Sequence, residues 1–335
     1  MKNIIKKIGD DMNFKALMTM PAAWDKFLGH SIEMLRSNCI DLEIIWSDEK
    51  LPQNRLIELL EGKHAYMMCL DTVDKTVIDA CKDLKILARH GIGLDNIDIK
   101  AATQAHIAVC NTPGSNCRSV ADLTCALILA LSRNITKADA SIRSGKFVQL
   151  MGNELSGKIL GIIGFGHIGK QVATRALGFG MNVCAYDNQI DTAYCAENNI
   201  EPTSLESLFS TSDYITIHVP LTAQTKNMIN AATIAKMANH AVVINVARGG
   251  IVDEDAIANA LIAGNLGGYG CDVFADEPPI ISDKLFQAPN TLFTAHMGGS
   301  TEESIARSAE MAAQNIIDVL NGKRVDSIVN KEICI

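Results

Sequence analysis

The sequence predicts an α/β protein made of two doubly wound parallel-sheet domains. Three observations carry that expectation. The chain has 335 residues, too many for one ordinary core and enough for two. Short apolar runs alternate with amphipathic stretches along nearly its whole length, the pattern left by βα units. In residues 159–169, ILGIIGFGHIG, a strand, a glycine-rich turn and a helix follow one another directly.

In the first third, strands are expected at Lys15–Met20, Leu42–Trp46, Ala65–Leu70, Leu84–Arg89 and Ala108–Asn111. Helices are expected between them at Pro52–Glu61 and Lys75–Cys81. Residues before Phe14 form a mixed-charge extension with no legible role. A turn-forming run, Asn111–Ser115, then marks a change of character. Ser119, with Asp122 three residues on, predicts a capping box opening a helix near Val120–Arg133. That helix is apolar all round, so it is expected to be buried on both faces, against its own domain and against a second subunit or the other domain.

From Lys158 a second βα series begins. Its strands are expected at Ile159–Gly164, Asn182–Tyr186, Tyr214–Val219, Ala241–Val246, Gly268–Phe274 and Thr291–Ala295. Ser300 and Glu303 predict a second capping box, opening a helix over Thr301–Asn321 that Gly322 ends. Ile305, Ala309, Ala312, Ile316 and Val319 share its buried face. Residues 116–299 are accordingly read as one domain inserted into another formed by 1–115 and 300–335.

Composition narrows the function. Apolar residues make up 48% and charged residues 20%, a globular composition, and the net charge is −8. That charge argues against broad binding to nucleic acid or to anionic membranes. The ten cysteines are scattered without a CxxC pair, so neither a metal site nor a disulfide framework is expected. The stretch before Phe14 has no apolar signal core, and the run Leu123–Leu131 is too short to span a membrane. A cytoplasmic protein is expected.

In the glycine-rich segment, Gly164 permits the turn, Gly166 lets the backbone approach a pyrophosphate, and Gly169 lets the helix pack against the strand. Helix-start amides then face the phosphates. Asp187 closes the next strand, 18 residues after Gly169, where a carboxylate accepts bonds from ribose hydroxyls and repels a 2′-phosphate. No Arg or Lys follows at 188–190. These features predict a Rossmann domain that prefers NAD to NADP.

Further segments occur in order: ARHGIGLDNID (88–98), NTPGSNCRSVADL (111–123), HVPLT (218–222), INVARGGIVDE (244–254), CDVFADEP (271–278) and AHMGGSTEES (295–304). With GFGHIG (164–169) they make the chain resemble the D-isomer-specific 2-hydroxyacid dehydrogenase family, phosphoglycerate dehydrogenase-like, from about Phe14 to Gly322. The resemblance implies a flavodoxin-like substrate domain carrying the inserted Rossmann domain, with the active site in the cleft between them. It also implies hydride transfer between NAD and a small 2-hydroxy or 2-oxo acid. A homodimer through the helix near 120–133 is expected.

Residue chemistry points the same way. A 2-oxo acid needs a cation for its carboxylate and a proton donor for its carbonyl. Arg248, after a sheet strand, offers a planar fork suited to a carboxylate. His296, closing the strand TLFTAH, is the best candidate to protonate the forming alkoxide or to remove the hydroxyl proton in oxidation. The family pairs the residue corresponding to Glu277 with this histidine, which orients the ring. The other histidines (30, 64, 90, 106, 167, 218 and 240) are read as structural. By the same resemblance His167 and Ile168 cover the pyrophosphate, and Val219 and Pro220 the adenosine. Asp272 takes the nicotinamide carboxamide, and Val246, Ala247, Gly298 and Gly299 line the cofactor. The amides of Ile92 and Gly93 hold the substrate carboxylate, with Asn96 fixing their loop.

Two departures bear on the substrate. Phosphoglycerate dehydrogenases place an arginine after the third strand of the first domain, where this chain has Leu70–Asp71. The segment FVQLMG (147–152) lacks another arginine often present there. Glyoxylate and hydroxypyruvate therefore stand beside D-3-phosphoglycerate as substrates. The rival readings are an NAD-sensing corepressor-like scaffold of the same fold and a phosphite or formate dehydrogenase. Formate enzymes carry Gln in place of Glu277, and a phosphite enzyme needs a lysine near Ile92 that is absent.

Overall fold

The computed structural model describes residues 14–281 and 283–333. The mixed-charge extension before Phe14 lies outside them. The chain divides into two compact units, one running to Asn116 and resuming at Ser300, the other spanning Cys117–Gly299.

The first unit is a five-stranded parallel sheet in the order β2-β1-β3-β4-β5. Its strands are β1 (Phe14–Met20), β2 (Ile40–Trp46), β3 (Ala65–Met68), β4 (Ile86–Arg89) and β5 (Ala108–Cys110). This is the flavodoxin-type order. β1, β3 and β4 read as near-continuous apolar runs because parallel strands are covered on both faces. One layer is closed by the helices Gly29–Ser37 and Glu302–Leu320, whose Ile305, Ala309, Ala312 and Ile316 join Ala16, Met18, Met67 and Ala88. The other layer packs Leu56, Leu60, Val77 and Ile78 on Leu17, Tyr66 and Leu87.

The second unit is a seven-stranded parallel sheet in the order β12-β11-β10-β9-β6-β7-β8. Its strands are β6 (Ile159–Ile163), β7 (Asn182–Tyr186), β8 (Ile200–Pro202), β9 (Tyr214–Ile217), β10 (Val242–Asn245), β11 (Gly268–Cys271) and β12 (Thr291–Phe293). The order reverses between β6 and β9, and a crevice opens at the carboxyl ends of strands at such a switch point.

Two expected caps are corrected. The helix expected at Val120–Arg133 runs from Cys117 to Ser132, so Ser119 lies inside its first turn and does not open it. The last helix is capped by Thr301, whose hydroxyl accepts the Ser304 amide at 3.2 Å, and not by Ser300. The capping-box spacing thus matched residues three positions and one position off the true boundaries. The short edge strand β8 and the helix Ile135–Arg143 had no clear sequence signal. The helix Cys117–Ser132 is not buried all round: Val120, Thr124, Leu127 and Ile128 are covered, Leu123 and Leu131 half-covered, and Ala126 exposed. No single helix among the described residues is long and apolar enough to cross a membrane.

Candidate active site

The glycine-rich turn leaves β6 at the switch point. Gly164 has φ +93°, in the left-handed region, and a Cβ there would lie 2.7 Å from the His218 carbonyl and 2.9 Å from Val219 Cγ1. A Cβ on Gly169 would overlap the Gly164 carbonyl oxygen. Gly166 differs: it is exposed, and its missing Cβ faces open space. It opens the helix His167–Gly178 without a side-chain cap among the described residues. The first intrahelical bond is made by Lys170 to Gly166, so the amides of His167, Ile168 and Gly169 precede it. The turn is thus an open cradle of amides at a helix start, which fits a pyrophosphate.

Asp187 follows β7 and locks onto this turn. Its Oδ2 accepts the Phe165 amide at 2.7 Å and its Oδ1 the Gln189 amide at 3.0 Å. The carboxylate is half-buried and keeps lone pairs for ribose hydroxyls. After β9 come His218, Val219 and the exposed Pro220. Both ring nitrogens of His218 are buried without a partner among the described residues. Burial lowers its pKa to about 3, which leaves the ring neutral.

The ends of β10, β11 and β12 carry the remaining groups. Val246 is buried, and Ala247 and Arg248 follow it in a tight turn held by the fully buried Asn245. The Asn245 side chain donates to the Arg248 carbonyl at 2.9 Å and accepts the Ala247 amide at 3.1 Å. The Arg248 guanidinium donates to the Ala247 carbonyl at 2.7 Å. Gly249 packs so closely that a Cβ would overlap the Phe274 carbonyl, which ties this turn to the loop after β11.

That loop carries Glu277, whose Oε1 accepts the Phe274 amide at 3.1 Å. Its Oε2 lies 2.7 Å from His296 Nδ1. Partial burial alone would raise the Glu277 pKa. The hydrogen bonds from His296 and Phe274 and the nearby positive charge of Arg248 outweigh it and hold the pKa below the ordinary value. The carboxylate is therefore ionised at neutral pH. His296 has φ +49°, a left-handed conformation uncommon for a residue with a Cβ.

Asp272 explains how that conformation is held. It is 1% exposed; its carbonyl accepts the His296 amide at 2.7 Å, and its carboxylate accepts the Met297 and Gly298 amides, both at 2.8 Å. Thr294 Oγ1 adds a third bond at 2.6 Å. Gly298 is buried against this carboxylate, and Gly299 is half-buried beside it.

In the first unit, Ile92 and Gly93 lie on the loop after β4. Gly91 has φ +122° and exchanges backbone and side-chain bonds with Thr112. Asn111 Nδ2 donates to the Ile92 carbonyl at 3.0 Å, and Arg89 Nε to the Gly93 carbonyl at 3.0 Å. Asn96 donates to the Asp71 carbonyl at 2.6 Å. These bonds engage the carbonyls of the loop. The bracing roles of Asn245, Thr294, Arg89 and Thr112 were not read from sequence. Only their adjacency to motif residues hinted at them.

An open cradle of amides at a helix start, with a carboxylate-paired imidazole at the carboxyl ends of the same sheet's strands, fits an oxidoreductase of the nicotinamide class. Residues 125–298 match the family model described as D-isomer specific 2-hydroxyacid dehydrogenase, NAD binding domain. The chain is 42% identical over 278 residues to a hydroxypyruvate reductase of Thermotoga maritima, covering 82% of this chain and 89% of that protein. It is 37% identical over 294 residues to D-3-phosphoglycerate dehydrogenase of Homo sapiens, covering 87% of this chain. It spans only 55% of that relative's length. Among solved structures, apo D-lactate dehydrogenase from Escherichia coli superposes with a TM-score of 0.83 at 27% identity, covering 94% of this chain and 100% of that one. This chain belongs to the D-isomer specific 2-hydroxyacid dehydrogenase family, and its cofactor is NAD.

Proposed function

We propose that this protein reduces a small, unphosphorylated 2-oxo acid to the D-2-hydroxy acid, or runs the reverse oxidation, with glyoxylate and hydroxypyruvate as leading substrates. The observation that carries the reading is the 2.7 Å bond between His296 and Glu277, set in the field of Arg248. Bound NAD supplies nicotinamide C4 as the hydride donor or acceptor.

The protein's own groups then have distinct tasks. Arg248 holds the substrate carboxylate through its planar fork and polarises the adjacent carbonyl. His296 presents Nε2 to the substrate oxygen, because Nδ1 is engaged by Glu277. It gives its proton to that oxygen during reduction and takes one back during oxidation. Glu277, ionised, stabilises the ring while it is charged. Asp272 orients the His296 loop besides its assigned place at the carboxamide. Gly164, Gly166, His167, Ile168 and Gly169 cradle the pyrophosphate, Asp187 the ribose, and Val219 and Pro220 the adenosine. The loop of Ile92, Gly93 and Asn96 is assigned as a carboxylate-binding element.

The preference against phosphorylated substrates rests on Asp71. Its carboxylate is 2% exposed and accepts Thr19 Oγ1 at 2.5 Å, Tyr66 OH at 2.6 Å and the Leu51 amide at 2.7 Å. The end of β3 therefore offers Leu70 and a buried acid where a phosphate dianion needs a cation.

A homodimer is supported by apolar exposure after the helix Cys117–Ser132. Ile135, Ile142, Phe147, Val148, Leu150 and Met151 are all exposed, with Phe147 at 87% and Met151 at 90%. A cytoplasmic location is supported by the nine described cysteines, all free. With a net charge of −8, neither nucleic acid nor membrane is assigned as a partner.

The test is NADH oxidation against a panel of glyoxylate, hydroxypyruvate, pyruvate and phosphohydroxypyruvate. Turnover with an unphosphorylated member is expected. No turnover with any of them, despite bound NADH, removes the enzymatic reading in favour of an NAD-sensing scaffold. Sedimentation analysis checks the dimer.

A further inference from the structure

A second cavity lies in the unit Cys117–Gly299, at the edge of the sheet opposite the dinucleotide turn. Its volume is about 490 Å³. Topology explains its lining. Lys158, Asp213 and Asn290 each stand immediately before a strand, β6, β9 and β12, and His240 stands two residues before β10. All the strands are parallel, so these side chains meet at one edge. Lys137 and Asn153 close the cavity from the chain that follows the helix Cys117–Ser132.

The charge of this lining is lopsided. Asp213 is its one carboxylate, and it is already engaged. It accepts the Ile159 amide at 2.8 Å and faces His240 Nε2 at 2.8 Å and Lys158 Nζ at 3.5 Å. Lys137 donates to a neutral acceptor, Asn290 Oδ1, at 2.6 Å. Among the described residues no carboxylate lies within ion-pair distance of Lys137. Two lysines thus line a cavity that holds one acid, and of the two only Lys158 is paired with it, in a chain whose net charge is −8. A local excess of positive charge in a recessed polar site concentrates anions.

We propose that this cavity is a binding site for a small multivalent anion presenting phosphate or carboxylate oxygens, separate from the dinucleotide crevice. The lysine ammonium groups act as point charges for the anionic oxygens. Asn153 and Asn290 supply neutral amide donors. The volume falls within the range of about 300–1,000 Å³ usual for small-molecule sites. The polar lining selects a hydrophilic ligand over an apolar one.

The experiment uses the full chain saturated with NADH, so that the phosphate cradle at Gly164–Gly169 is filled. Inorganic phosphate and citrate are titrated separately at constant ionic strength, and binding is followed by calorimetry and by the thermal midpoint. Saturable binding of at least one anion is expected. It should weaken at least tenfold in Lys137→Ala and in Lys158→Ala, with NADH affinity unchanged. Lys137 is exposed on a helix start, so its variant folds whether or not loss of the Lys158–Asp213 pair disturbs the sheet edge. Stronger binding of phosphate assigns the site to phosphate esters, and stronger binding of citrate to polycarboxylates. Absence of saturable binding by either anion, or binding undiminished in both variants, overturns the proposal.

Discussion

The backbone amide of His296 donates to the carbonyl of Asp272 at 2.7 Å, so the residue proposed to transfer the proton hangs from a buried acid one strand away. Asp272 also takes the next two amides of that loop with its carboxylate. Asp272→Asn keeps the shape but replaces one acceptor oxygen by a donor that faces amide donors. Leaving buried groups unsatisfied costs about 1–3 kcal/mol. The expected outcome is a fall in both thermal midpoint and kcat, read by unfolding and steady-state assays. A variant with native stability and kcat would show that the loop is held by other contacts.

His296→Ala removes the proposed proton donor and leaves the glycine-rich turn intact. A loss of about 10²–10⁴ in kcat is expected. NADH affinity, followed by fluorescence, should stay within about twofold on the same reasoning. Parallel loss of binding would make the histidine structural. Glu277→Gln retains a hydrogen-bond acceptor and removes the charge. A charge-assisted bond is worth about 1.5–3 kcal/mol, so a drop of about 10- to 100-fold in kcat is expected, with less effect on KM.

Asp187→Ala should weaken NAD binding and lessen discrimination against NADP. The carboxylate bonds at stake predict a loss of about tenfold or more in NAD affinity. Titration with both dinucleotides measures it. Unchanged preference for NAD would place the selecting group elsewhere.

Gly249→Ala tests the join between the Arg248 turn and the Glu277 loop. A methyl group would overlap the Phe274 carbonyl, so one backbone must move. Overpacking of this kind costs about 1–3 kcal/mol. Lower stability in urea and a raised KM for the oxo acid are expected, because Arg248 is displaced. Normal KM would detach the turn from substrate binding.

Acid sensitivity follows from two buried imidazoles. His90 is 6% exposed, its Nε2 lies 3.0 Å from the Ile305 carbonyl, and burial lowers its pKa to about 4. His218, lowered to about 3, behaves alike. Both remain neutral when folded and protonate near 6.5 when unfolded. The unfolded chain therefore binds more protons below pH 6.5, and stability falls as pH drops from there toward 4. Each contributes a slope of up to about 1.4 kcal/mol per pH unit. Denaturant midpoints between pH 7 and 5 should decline, and His90→Gln should flatten the decline. An unchanged slope in that variant would exclude His90 as a source.

Much of this protein was legible in its residues. Fully covered parallel strands need unbroken apolar runs, so β1, β3, β6 and β9 stand out from their neighbours. The turn at Gly164–Gly169 was legible because its left-handed φ and close backbone packing admit few residue types, and Asp187 because it closes the next strand. Family-like segments named Arg248, Glu277 and His296. Tertiary structure alone decided how those groups are held. Nothing in the spacing of Asp272, Thr294 and Met297 shows that one carboxylate gathers donors from a neighbouring strand end. Nor does it show that Gly249 must lie bare against Phe274. The helix start at Cys117 and the cap at Thr301 were likewise seen only in the fold, against capping signals at Ser119 and Ser300. The cavity edged by Lys137, Lys158 and His240 had no sequence signature, because residues far apart in the chain meet only when parallel strands align their amino ends. Local patterns record what a segment prefers; convergence of side chains depends on strand order, which only the folded sheet settles.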